Sequence, residues 1–403
     1  MYTQASKKTI ADKIKQANVA IIGGGLAGLY SAYLLAQRYI SVDVYEAKTS
    51  LGGRIMGAET QASDYLLDMG PSWIFPHQSQ IQTLVAELGL TLKNQFAEGD
   101  ALFQQHPSVP VRQISGVAPP DMYQIVGGTY SLIDALIKAI QKQQVGNCQI
   151  NLANNSKVIN CKATDNEKVG EAGWELTIEK TSSGQATRAV SEYKQVIFAA
   201  PPRIIAPIVS SSLDNTKANG HSTFDGLEQT LRKTPTWMAA QAKFACEFVS
   251  ASWRKRKLSG QAFSQAGPLV EIHDAGHDTS SDAAPSVHAL FGFVGLPAKQ
   301  RLGLSEQQIV DACQAQMIKI FDIDKSECIQ FHYQDWAKDE WVATAADQAE
   351  ASQHPNIDLS KWQNQLDAIN LYFAGSEFSP IDAGYMEGAI VASQRAIAAL
   401  VTR

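Results

Sequence analysis

Val19-Ala20-Ile21-Ile22-Gly23-Gly24-Gly25-Leu26-Ala27-Gly28-Leu29-Tyr30-Ser31-Ala32-Tyr33-Leu34-Leu35 is the stretch that decides the fold. Its first four residues form an unbroken apolar run, the pattern of a strand buried on both faces. The run breaks into a glycine corner and resumes as a helix. Gly23, Gly25 and Gly28 have G-x-G-x-x-G spacing. The first glycine permits a tight turn, the second lets backbone approach a pyrophosphate, and the third lets helix and strand pack closely. The helix start at Leu26 and Ala27 then presents free N–H groups and the positive end of its dipole to phosphate oxygens.

Working outward, a second strand, Ser41-Val42-Asp43-Val44-Tyr45-Glu46, ends in a carboxylate 18 residues after Gly28. A carboxylate there accepts hydrogen bonds from the two ribose hydroxyls and disfavours a 2′-phosphate. Gly52, Gly53 and Arg54 follow. The glycines allow a second close backbone approach, and the arginine brings fixed positive charge toward phosphate. Together these features point to dinucleotide binding; on their own they do not separate a nicotinamide from a flavin.

A chain of 403 residues exceeds the size of a single hydrophobic core, so more than one domain is expected. The net charge of −6 argues against a nucleic-acid partner. The densest basic run, Arg254-Lys255-Arg256-Lys257, reads as a solvated loop. Cys148, Cys161, Cys246, Cys313 and Cys328 are scattered without a C-x-x-C pair, which suggests neither a zinc site nor a disulfide framework. The histidines form no close cluster, so no metal is expected. No apolar signal core or transmembrane segment stands out, and a cytoplasmic location is the expectation.

Residues 1–17 read as a polar lead-in. Helices are expected near Ser79–Leu90, Leu132–Ile140, Ser305–Ile320 and Met386–Leu400, and strands near Gln195–Ala200 and Asn370–Phe373. Nucleotide-type segments at both ends imply a discontinuous cofactor domain. Its parts are expected at 1–78, 121–235 and 331–403. The excursion 79–120 and the segment 236–330, with its 273–287 loop, would build the substrate side.

Further along, the chain carries DMGPSWI at 68–74, IVGGTYSLIDAL at 125–136, VIFAAPP at 196–202, LYFAGSE at 371–377 and GYMEGAIVAS at 384–393. With the opening unit, this ordered set resembles the flavin-containing amine oxidase family, which includes monoamine, polyamine and L-amino-acid oxidases. The resemblance covers nearly the whole chain. It implies an α/β fold: a discontinuous Rossmann-like FAD-binding domain of glutathione-reductase type with an inserted α+β substrate domain. It also implies that Glu46 and Arg54 hold ribose and pyrophosphate, and that Gly70, Pro71, Ser72 and Trp73 line the flavin region. Val158 would lie against adenine, Gly375 and Glu377 by the ribityl chain or pyrophosphate, and Met386 beside the flavin. Lys243 resembles the family lysine that holds a water near flavin N5, although strand alternation over 238–248 could also carry it outward. Tyr385 resembles one wall of an aromatic cage for the amine.

Two departures stand out. Aligning Asp335-Trp336 with the family's asparagine–tryptophan pair puts Ala345 where monoamine oxidases carry the flavin-linking cysteine and Ala346 at the second cage tyrosine. FAD is therefore expected to be non-covalent, and Trp341 is the candidate for the missing ring. The reaction implied is oxidation of a small-molecule amine at its C–N bond, with O2 as oxidant and hydrogen peroxide as product. Glu271 or Asp274 could select a second amine. The incomplete cage leaves two alternatives: a desaturase or dehydrogenase of an apolar, carotenoid-like or porphyrinogen-like substrate, and an FAD-binding accessory protein without efficient turnover. Oligomeric state is not read from the sequence.

Overall fold

A computed structural model describes residues 18–61, 65–117, 121–143, 148–166, 171–182, 184–213, 224–277, 286–350 and 353–402. The lead-in over 1–17 and the middle of the 273–287 loop lie outside them. Val19–Ile22 is the central strand of a five-stranded parallel sheet. The strand order is Leu371–Phe373, Gln195–Phe198, Val19–Ile22, Val42–Tyr45, Ile150–Ala153. All four residues of Val19–Ile22 are buried, as a strand covered on both faces requires. Helices Leu26–Ala36, Tyr130–Lys142 and Met386–Val401 cover one face with a single apolar cluster. The antiparallel strands Ser156–Asn166, Glu171–Ser182 and Gln185–Tyr193 and the helix Pro202–Leu213 cover the other. The sheet draws its strands from positions 19 to 373.

A second, seven-stranded sheet has the order Cys328–Asp335, Ala242–Phe248, His288–Val294, Leu269–Asp274, Leu258–Ser264, Asp100–Gln104, Arg112–Ile114. The helix Glu306–Phe321 packs on one face, its start closed by a capping box between Ser305 and Gln308. The opposite face meets Tyr65, Leu67 and Met69, which lead into the DMGPSWI segment. Two strands of this sheet come from the 79–120 excursion, and Cys328–Asp335 continues past residue 330.

Two sequence expectations need correction. Cys246 and Cys328, 82 residues apart, form a disulfide, because adjacent antiparallel strands bring their Cα atoms to 6.8 Å. That register is invisible in cysteine spacing. In the basic run Lys255, Arg256 and Lys257 are exposed as expected, but Arg254 is not solvated: it lies in a short helix, Ser252–Lys255, donates twice to the buried Asp274 carboxylate, at 2.7 and 2.8 Å, and stacks on Phe96. Among the described residues no helix is long and apolar enough to cross a membrane.

Candidate active site

The glycine corner builds one wall of the site. Gly23 has φ +111°, and a Cβ on Gly28 would stand 1.9 Å from the Gly23 carbonyl oxygen, so helix and strand touch backbone to backbone. Gly25 precedes the helix Leu26–Ala36 and puts no side chain on its first N–H groups, which are left for an external anion. A Cβ on Gly53 would lie 3.0 Å from Gly25 Cα, and Gly52 N–H donates to Gly24 O at 2.9 Å. The two glycine turns thus meet across the mouth of the cleft. Glu46 is buried, with Oε2 accepting from Gly24 N–H at 2.7 Å and Oε1 from Lys48 N–H at 2.8 Å. Each carboxylate oxygen retains a lone pair for a hydroxyl.

From this wall a cleft of about 670 Å³ runs past Arg54, Pro71, Trp73, Val158, Gly375 and Met386 to Trp237 and Tyr385. This lies within the range of roughly 300–1,000 Å³ for small-molecule sites. Gly23, Gly25, Leu26, Ala27, Glu46, Gly53 and Trp341 line it as well, whereas Gly28, Gly70, Ser72, Lys243 and Glu377 stand behind the lining. Glu377 is fully buried and pairs with Arg54 at 2.6 Å, while Arg54 also donates to Trp237 O and Ser376 Oγ. Glu377 therefore aims the guanidinium into the cleft. Gly70 has its own reason to lack a side chain: a Cβ would meet Arg54 O at 1.9 Å. Met386 opens the helix Met386–Val401, whose first turn forms part of the lining.

Lys243 points inward. All seven residues of its strand are buried, and its ammonium donates to Ser72 Oγ at 2.5 Å and Gly70 O at 3.2 Å. The Phe291 ring lies 3.9 Å from it. Burial pushes the ammonium down to about 7, opposed by the charge of Asp68. The same burial pushes the Asp68 carboxyl up, against the pull of Lys243 and two hydrogen bonds from Thr129. Lys243, Phe293 and Glu271 sit opposite one another on three neighbouring strands and so share the sheet face that meets Trp73. Glu271 bonds His273 Nε2 at 2.6 Å on that face. Asp274, the other acidic candidate, is committed to Arg254 and Trp253.

The aromatic surroundings of Tyr385 differ from the sequence expectation. Trp341 is not beside it: the Trp341 ring packs against the Lys157 ammonium at 4.8 Å, next to Val158. The rings around Tyr385 are instead Phe75, Trp237 and His354, with centroids 6.0, 6.3 and 4.8 Å away. His354 also stacks on Trp237 at 3.7 Å. Its Nδ1 faces Ala383 O, which can only accept, so in the neutral ring Nε2 accepts from the Tyr385 hydroxyl at 3.2 Å. Burial and the Asp382 charge raise the Tyr385 phenol, which keeps it protonated. Trp237 could have been singled out as a tryptophan just ahead of the apolar strand that carries Lys243. His354 lies in an irregular loop with no sequence signal.

Residues 26–113 and 120–401 match the flavin containing amine oxidoreductases. The chain belongs to that family. It is 36% identical over 104 residues to the flavin-containing amine oxidase A of Canis lupus familiaris, covering 26% of this chain and 19% of that enzyme. It is 34% identical over 86 residues to the putrescine oxidase of Kocuria rosea, covering 21% of this chain and 18% of that enzyme. The matched stretches thus span about a fifth of those relatives' length. Among solved structures, a putrescine oxidase bound to putrescine superposes with a TM-score of 0.70 at 18% identity, covering 96% of this chain and 99% of that one. The likeness shows a common fold.

The cofactor of such an oxidoreductase is FAD, and the residues present fit it. The uncapped helix start, the glycine-only contact between the two turns, the Glu46 carboxylate and the aimed Arg54 are the donor and acceptor set a dinucleotide needs. Among the described residues no cysteine lines the cleft, and none of the possible metal-binding side chains gather in threes.

Proposed function

We propose that this chain oxidises the C–N bond of a primary or secondary amine, using non-covalently held FAD. FAD, when bound, supplies the two-electron acceptor for the α-carbon hydrogen, with O2 as terminal oxidant. In balance, amine, O2 and water give a carbonyl compound, ammonia or a smaller amine, and hydrogen peroxide. The observation that carries this reading is the Tyr385–Trp237 aromatic wall at the cleft end, with the buried Lys243 behind the Gly70–Trp73 segment.

The chain's own residues bind, orient and dry the site. The π faces of Tyr385 and Trp237 attract a cationic amine and exclude water from its α-carbon. The bond to His354 fixes the Tyr385 hydroxyl. Lys243 exchanges its proton near neutral pH and can hold a water through that ammonium. Retention by contacts alone is supported by Ala345 at the position aligned with the linking cysteine and by a lining that, among the described residues, holds no cysteine.

The second reading, dehydrogenation of an apolar substrate, is favoured by the apolar side chains of Trp73, Met238, Val342 and Met386 along the cleft. Anaerobic mixing of the FAD-loaded protein with primary amines, secondary amines and diamines tests the first. Bleaching of the flavin absorbance by an amine supports it; no bleaching across the panel, with apolar polyenes bleaching instead, would transfer the assignment.

A further inference from the structure

We propose that residues 336–350 form a strap that retains FAD, with Asp339 and Trp341 as its two clasps. The proposal rests on the cofactor and not on the identity of the substrate.

The strap is tied down firmly at both ends and lightly in the middle. At its start, Asp335 accepts two hydrogen bonds from the buried Arg301, at 2.7 and 2.9 Å, and Trp336 Nε1–H donates to Met69 O at 3.1 Å. At its end, Asp347 accepts from Arg203 at 2.7 Å and Thr236 N–H at 3.1 Å. Between these anchors Val342 and Ala343 N–H donate to Asp339 O, at 3.0 and 2.8 Å, and fold the backbone into a turn.

From that turn two side chains cross the cleft. The Asp339 carboxylate holds its own turn through Trp341 N–H at 3.0 Å, and its other oxygen pairs with the Lys48 ammonium. The Trp341 indole lies against the Lys157 ammonium at 4.8 Å. Both lysines belong to the nucleotide side. Lys48 follows Glu46 and reaches Gly53 O, and Lys157 precedes Val158. The cleft is bounded by Glu46, Gly53 and Val158 on one side and by Trp341, Val342 and Thr344 on the other. The strap is therefore a wall of the cofactor site, hooked to the opposite wall at two points.

An ion pair and a cation–π contact that remain partly in water are each modest. The buried ends stay closed while the middle opens, so the clasps set the rate at which FAD leaves. This moves Trp341 from the substrate cage, where the sequence placed it, to cofactor retention.

The test is FAD release from the holoenzyme, followed by the rise in free-flavin fluorescence after dilution. Asp339→Asn and Trp341→Ala are each expected to speed release by about five- to ten-fold. Lys48→Met is expected to speed release by a similar factor, and adding Asp339→Asn to it to change release by less than about two-fold, as for two ends of one clasp. Release unchanged in Asp339→Asn and Trp341→Ala would overturn the proposal. So would faster release matched by a lower melting temperature of the apoprotein, since that outcome makes the segment scaffold alone. Failure of every amine to bleach the flavin would remove the proposed reaction and leave these release rates standing.

Discussion

Lys243 was half legible in the sequence. Its apolar neighbours marked a strand, but period-two alternation put its side chain on either face, and only the second layer of Met69–Trp73 buries both. Its perturbed titration gives a signed prediction. The ammonium ionises at 10.5 in the unfolded chain and at about 7 in the folded one. The unfolded chain therefore binds the extra proton across that window, and stability falls as pH drops from 10.5 toward 7. Asp68 has the opposite slope, with stability lost as pH rises from 3.8 to about 6, so it does not mask the effect. Urea denaturation of the apoprotein should show stability rising between pH 7 and 9 by about 1–2.5 kcal/mol more than in Lys243→Met. Parallel pH profiles would rule out the buried lysine. The aromatic wall makes a second claim at this scale. Trp237→Ala should lower kcat/KM for the best amine about ten-fold, as expected for a desolvated cation–π contact, with FAD content unchanged. Loss of FAD along with activity would assign Trp237 to the cofactor instead.

At the scale of elements, legibility follows locality. The unit from Val19 to Ala36 was readable because a strand, a turn and a helix each leave a short-range pattern, and Gly28 answers to a contact only five residues away, whereas Gly23 is held clear of Ala199 and Gly25 of Gly53. Gly28→Ala would drive a Cβ to 1.9 Å from Gly23 O, with no side chain able to yield. A loss of roughly 3 kcal/mol or more is expected by chemical denaturation, and FAD should not co-purify. A variant that retains both would mean that the corner relaxes. The seven-stranded sheet left no such pattern. Asp100–Gln104 pairs with Leu258–Ser264 and Ala242–Phe248 with Cys328–Asp335, registers selected by packing between distant segments. The same distance hid the Cys246–Cys328 link and the direction of Trp341. Replacing both cysteines by alanine, or adding reductant, should cost about 2–4 kcal/mol for a closed loop of 82 residues. A melting temperature indifferent to both would show the thiols unlinked.

For the whole molecule, the two sheets keep separate apolar clusters, and the cleft lies at the end of the five-stranded sheet, closed by segments 237–238 and 340–344 that flank strands of the other. Its walls come from the glycine turns, the Pro71–Trp73 segment, the 336–350 strap and the start of the last helix, so one ligand touches parts of both cores' surroundings. Such a ligand stabilises the folded state by RT ln(1 + [L]/Kd), about 2.7 kcal/mol at a hundred-fold excess over Kd, and it does so for both sheets together. Without FAD the two sides still meet through contacts such as the hydrogen bonds of Lys243 to Gly70 and Ser72 and of Trp336 to Met69. Calorimetry of the apoprotein should resolve two overlapping transitions, and added FAD should merge them into one that climbs with its concentration. Asp339→Asn should shift that merging to higher FAD without altering the apoprotein trace. Two transitions whose spacing ignores FAD would mean that the cofactor rests on one sheet alone, and the strap would then close over a site it does not help to hold.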